Sequence, residues 1–143
     1  MSVARPQTNQ ERIVLAFLES MGPTWEAFVA GYRRWLAEDA LWENTGFPSV
    51  RGREKCVKFL HVLRELTGME YCTIEVHHLV SRGDIVLTER TDRMHRADGE
   101  VICTFAIMGA FEVRDGQIAR YSDYYADSEI KALVPDLGGS RLD

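Results

Sequence analysis

The chain has little of what a covalent or metal-held scaffold needs. It carries only 3 cysteines, and Cys56, Cys72 and Cys103 are odd in number and far apart, which gives neither a disulfide framework nor paired metal-ligand spacing. They read as ordinary buried thiols. The 4 histidines, His61, His77, His78 and His95, form no H-x-x-x-H or comparable pattern, and adjacent His77 and His78 are expected on opposite faces of a strand. No metal is expected. Basic excess is also missing: 17 Lys and Arg against 22 Asp and Glu leave a net charge of -5, which argues against a nucleic-acid surface of clustered cations. No apolar run approaches the roughly 20 residues of a membrane span, and Met1 to Gln10 is polar, without a signal peptide's apolar region. A soluble, cytoplasmic protein is expected, with neither nucleic acid nor membrane as partner. Internal repeats and low-complexity segments are absent too. At 143 residues, 45% of them hydrophobic, the chain suits a single domain over 1–143 that buries its own core, with 1–9 and 138–143 as flexible ends.

The first half is periodic in the manner of helices. Ile13, Val14, Phe17, Leu18 and Met21 recur at helical spacing before Gly22-Pro23, which stops the helix. Thr24 caps a second helix whose Trp25, Phe28, Val29, Tyr32 and Trp35 form one apolar stripe, running to a helix end at Ala37-Glu38-Asp39. Leu41 to Pro48 is too rich in Gly and Pro for a helix and reads as a loop or short strand. A third helix is expected from Arg53 to Leu66, with Gly68 just past its end. From Glu70 the period changes to that of strands, over roughly 70–80, 84–95, 100–113 and 117–125. The separators Arg82-Gly83-Asp84, Ala97-Asp98-Gly99 and Arg114-Asp115-Gly116 suit hairpin turns, and the first of them reads as a turn rather than an adhesion tripeptide. A short helix is expected beyond Asp127. Helices followed by an antiparallel meander indicate an α+β domain, with the helices covering one face of a curved sheet.

Charge lies within these strands. Val86, Thr88, Arg90, Asp92 and Met94 share one face, so Arg90 and Asp92 project together, and Asp123, in a row with Tyr121 and Tyr125, is positioned to meet them from a neighbouring strand. Two carboxylates sharing one guanidinium in an apolar cavity handle protons: the Arg holds one acid ionised while burial keeps the other protonated. The plainer readings are a surface cross-strand pair for Arg90 and Asp92, an exposed Asp123, and turn chemistry for Asn44 beside Gly46.

The succession Trp42-x-Asn44, Thr88-Glu89-Arg90-x-Asp92 and Asp123-Tyr124-Tyr125, on helices followed by a meander, resembles the limonene epoxide hydrolase family of the SnoaL-like and NTF2-like fold group, from about Glu11 to Leu137. The resemblance implies an NTF2-like cone with a mostly antiparallel, strongly curved sheet, a homodimer through that sheet, and no cofactor. It implies one-step attack of water on a hydrophobic epoxide, giving a vicinal diol. Asp123 would be the general base, Asn44 would hold the water, Asp92 would be the general acid and Arg90 would bridge the two. Trp42, Tyr121, Tyr125, Phe105, Leu60 and Tyr32 are the expected substrate-binding residues, with Trp25 helping to shape the pocket. The family has Tyr where this chain has Trp42, and an indole can donate a hydrogen bond but not accept one. Two other readings remain: an isomerase or cyclase of the same fold acting on a hydrophobic ketone or polyketide, and a non-catalytic ligand-binding module.

Overall fold

The structure, a computed structural model, describes residues 4–134. Helix α1 (Asn9–Glu19) begins at Thr8, whose hydroxyl accepts from the Glu11 N–H at 3.1 Å while the Glu11 carboxylate accepts from Thr8 and from the Gln7 N–H. Ser81, in strand β3 (Tyr71–Arg82), donates to the same carboxylate at 2.5 Å, and this bond more than any other holds the Glu11 carboxyl below the usual carboxylate range. Helix and sheet are joined there. Ahead of α1, the Ala4 N–H donates to Val76 O and ties this segment to β3. Residues 1–3 and 138–143 lie outside the described residues.

Helix α2 (Trp25–Trp35) is capped by Thr24, which accepts from the Ala27 N–H. It ends earlier than the sequence suggests. Leu36 is already extended, and Ala37, Glu38 and Asp39 belong to strand β1 (Leu36–Asn44). The register of β1 shifts between Leu36 and Leu41, which lets Glu38 and Asp39 face solvent in succession and hides the period-two signal. A short strand β2 (Val50–Arg51) pairs with β1, and helix α3 (Arg53–Thr67) stops at Gly68, which takes the left-handed conformation.

After β3 follow β4 (Ile85–His95), β5 (Val101–Arg114), β6 (Gln117–Tyr124) and a short α4 (Ser128–Leu133). The six strands lie in the order β2-β1-β6-β5-β4-β3, antiparallel except for the parallel β1–β6 pair. The sheet is open, and bulges in the pairings of β1, β3 and β5 bend it around the helices. Those bulges alter side-chain directions. Val76 pairs with Arg90 and His78 with Glu89, leaving His77 as an extra residue. Both histidines therefore reach the outer face, His77 to Thr91 and His78 to Glu89, instead of opposite faces. Ile118, alternating with the Asp123 row by simple period, is likewise fully buried because the β5–β6 register shifts at Glu112/Val113.

The core gathers beneath the helices. Phe17 of α1 packs at 5.2–6.5 Å from the rings of Tyr32, Phe111 and Tyr121. Among the described residues no helix is long and apolar enough to cross a membrane. Phe17→Ala is expected to cost about 3–5 kcal/mol, whereas Val80→Ala, on the exposed sheet face, should stay within about 0.5 kcal/mol. Urea unfolding of the two variants would measure the contrast.

Candidate active site

The inward face of β4 carries the charge. Val86, Thr88, Arg90, Asp92 and Met94 are all buried, while Ile85, Leu87 and Glu89 of the alternate row are exposed. Arg90, 1% exposed, donates from Nε to Asp92 Oδ1 at 2.9 Å and from Nη2 to Asp92 Oδ2 at 3.0 Å. The same Nη2 donates to Asp123 Oδ2 at 2.5 Å, and Nη1 donates to Thr88 Oγ1 at 3.2 Å. The ring of Phe111 supports the guanidinium, with Cζ 5.7 Å from its centroid. The exposed-pair readings of Arg90, Asp92 and Asp123 are excluded by this burial.

Asp123 is not on a strand next to β4. The order β6-β5-β4 puts one strand between them, and the length of the Arg90 side chain spans it. Asp123 is fixed from the other side by β1: Asn44 is its register partner, and the N–H and hydroxyl of Thr45 both donate to its carbonyl at 3.1 Å. Its Oδ1 is buried and has no hydrogen-bond partner.

Burial and the Arg90 cation act on Asp92 in opposite senses. Burial raises Asp92 to about 6; the Arg90 charge and hydrogen bonds pull it down, and the Asp123 charge pushes it up. The same two carboxylates outweigh burial at Arg90 and keep the guanidinium firmly charged. A buried acid that retains a proton near pH 6, beside a carboxylate with an open oxygen, is equipped to donate at one point and accept at another.

Above this cluster lies an apolar cavity of about 100 Å³. Asp92, Asp123 and Asn44 supply carboxyl and amide groups to its wall, and Trp42, Tyr121, Tyr125, Phe105, Leu60 and Tyr32 all line it. Trp42 stacks on Tyr121 at 5.5 Å and Tyr121 on Phe111 at 5.3 Å, so one aromatic column runs from the cavity wall to the floor beneath Arg90. Trp25 is not in the lining; it packs against His61 and under the Arg64 guanidinium. Trp42 Nε1, like Asp123 Oδ1, is buried without a partner.

Sequence reasoning missed several lining residues. Phe28, on the apolar stripe of α2, and Phe59 of α3 line the cavity as well, and Phe47 and Ile130 arrive from a loop and from α4, whose approach no local pattern encodes. Thr88 was legible, since it precedes Arg90 by two on the same face. Among the described residues no group of His, Cys, Asp and Glu converges as a metal-ligand set.

Residues 8–134 match the limonene-1,2-epoxide hydrolase catalytic domain. A curated relative, epoxide hydrolase EphG of Mycobacterium tuberculosis (strain ATCC 25618 / H37Rv), is 34% identical over 90 residues, which are 63% of this chain and 57% of that protein. The aligned stretch thus spans little more than half of that relative. The structure of an M. tuberculosis LEH-like epoxide hydrolase superposes with a TM-score of 0.69 at 29% identity, covering 91% of this chain and 92% of that one. An NTF2-like protein from Burkholderia pseudomallei, 14% identical, superposes with a TM-score of 0.72 over 90% of this chain and 98% of its own, a likeness of fold alone. With its helices on an open, curved sheet and a family match over nearly all of its length, this chain belongs to the limonene-1,2-epoxide hydrolase catalytic domain family.

Proposed function

We propose that the protein is an epoxide hydrolase that adds water to a hydrophobic epoxide in a single step. The observation that carries this reading is the buried unit of Arg90, Asp92 and Asp123 facing an apolar cavity, with the Asp123 Oδ1 unpaired. Water is a poor nucleophile at neutral pH and an alkoxide a poor leaving group, so both ends of the reaction need a proton partner. Asp123 takes a proton from water as the water oxygen bonds to one epoxide carbon. The C–O bond of that carbon breaks, and Asp92 gives its proton to the departing oxygen. Passing the proton from Asp123 back to Asp92 restores the starting state, and Arg90, bound to both, lowers the cost of the charge exchange. No electron carrier or cofactor enters this balance.

Asn44 and Trp42 are the proposed holders of the water. The two unpaired atoms are an acceptor, Asp123 Oδ1, and a donor, Trp42 Nε1, on the wall of one cavity. A water that donates to the carboxylate and to the Asn44 amide oxygen can accept from the indole N–H, keeping its other lone pair for attack. A tryptophan here can therefore hold water as a donor, though not in every way that a phenol can. The aromatic walls favour a cyclic or otherwise bulky apolar epoxide and exclude competing water. The family also suggests a homodimer, for which the exposed row of Leu87, Met108 and Tyr124 on the outer sheet face is the proposed contact.

In heavy-oxygen water, terpene, cycloalkene, styrene and lipid epoxides should yield diols carrying one solvent oxygen, with Asp123→Asn and Asp92→Asn each losing at least about 10²-fold in kcat. Because Asp92 must hold its proton, kcat/KM should fall as pH rises through about 6. The folded pKa of Asp92 exceeds its unfolded value of 3.8, so its contribution to stability is present below that value and lost as pH rises through about 6. Diol formation that survives either substitution would remove the mechanism, and proton exchange on a bound ketone without diol would favour the isomerase reading. Trp42→Phe should lower kcat by about 10-fold with KM little changed, a loss comparable to one hydrogen bond, while Trp42→Tyr restores turnover. Equal rates for Trp42→Phe and the parent would remove the indole from the water site. Leu87→Asp with Met108→Asp should convert a dimer to monomer in sedimentation equilibrium, and an unchanged mass would refute that contact.

A further inference from the structure

We infer that Gly109 is a positioning residue of the site: its missing side chain is the passage through which the Arg90 guanidinium crosses β5 to reach Asp123. The inference rests on the reading of Arg90, Asp92 and Asp123 as the reacting unit. Its basis is the sheet register. Thr88 on β4 pairs with Gly109 on β5, which pairs in turn with Asp123 on β6. Adjacent strands lie about 4.8 Å apart, so about 10 Å separates β4 from β6. Arg90 starts level with Ile107 and bridges that gap to its 2.5 Å contact with Asp123 Oδ2. Its guanidinium must lie flat over the middle strand.

The inward row of β5 is otherwise bulky. Ile107 and Phe111, two residues to either side of Gly109, both fill the core. A Cβ built at Gly109 would stand 2.9 Å from Asp123 Oδ1 and 2.9 Å from Thr88 Oγ1, and would overlap Arg90 Nη1. These are atoms of the polar unit itself: Nη1 and Oγ1 are bonded to each other, and Oδ1 belongs to the carboxylate whose Oδ2 accepts from Arg90, so none gives way independently. Backbone conformation does not explain the glycine. Gly83 and Gly116 have positive φ in turns, whereas Gly109 has no such φ and lies within β5. A glycine inside a strand weakens it and commonly marks the close approach of another group; here that group is the guanidinium.

Thr88 completes the device. Its hydroxyl accepts from Arg90 Nη1 and donates to the Gly109 carbonyl at 3.4 Å, tying the head of the arginine to the strand it crosses. The guanidinium is thereby held in the one roll that serves Asp92 through two parallel bonds and Asp123 through a third.

The test is Gly109→Ala, alone and combined with Arg90→Lys, whose ammonium lacks the Nη1 arm that a Cβ would meet. Readouts independent of turnover are the NMR signal of the Arg90 side-chain Nε–H and the carboxyl titration of Asp92. In Gly109→Ala the Nε–H signal should shift or lose its exchange protection. Asp92 should titrate at higher pH, because the cation that lowers it has moved away. On an epoxide the parent hydrolyses, kcat should fall by about 10²-fold with KM within about 3-fold, and the pH profile should move alkaline. The loss of thermal midpoint caused by Gly109→Ala should shrink in the Arg90→Lys background. If Gly109→Ala fails to fold while the double variant folds, the clash with Arg90 is upheld. An unchanged Nε–H signal and Asp92 titration in Gly109→Ala, an equal midpoint loss in both backgrounds, or failure of both variants to fold would overturn the inference. Should the parent turn over no epoxide, the proposed function fails by itself, and the two NMR readouts still decide the role of Gly109.

Discussion

A charged guanidinium sealed inside an apolar interior governs the rest of this molecule. An isolated buried charge is prohibitively costly, and it becomes tolerable only when opposite charge and hydrogen bonds surround it. Arg90 meets that demand with Asp92, Asp123, Thr88 and the face of Phe111. Supplying two carboxylates for one cation leaves an excess acid in a poorly solvated place. Burial above all, and the Asp123 charge after it, make Asp92 keep its proton up to about pH 6 against the pull of Arg90, and that proton underlies the proposed acid role.

The scaffold exists in large part to hold these groups in register. The parallel β1–β6 pair brings Asn44 beside Asp123, and Thr45 fastens the carbonyl of Asp123 through two bonds. Bulges bend the sheet so that its inner face becomes a cavity and its outer face stays exposed. The helices then close the cavity with aromatic and aliphatic side chains, Phe17 packing edge-on against Tyr121, the middle ring of the column. Low polarity and fixed polar groups thus come from the same packing, which strengthens every electrostatic interaction within it.

Much of this arrangement was legible in the chain. Helical spacing from Ile13 to Leu18, the Thr24 cap and the Gly68 stop mark the helices, because caps and stops act over a single turn. The Asp-Gly and Gly-Asp turns mark the hairpins for the same reason of locality. The face shared by Arg90 and Asp92 follows from the period of a strand. Strand β1 is concealed because a bulge permits Glu38 and Asp39 to face outward together, and His77 departs from the expected alternation because the β3–β4 register shifts beside it.

Short-range chemistry along the chain therefore determined most of the helices and strands and most of the inward faces, and set Arg90, Asp92 and Asp123 apart as charged residues within strands. Tertiary structure alone decided that Asp123 would sit two strands from Arg90 and still be reached, that Gly109 would leave the passage open, and that Phe47 and Ile130 would border the cavity. Those outcomes depend on strand order and on register between segments distant in sequence. Periodicity states which way a side chain points, but the sum of packing over the whole sheet selects what it meets.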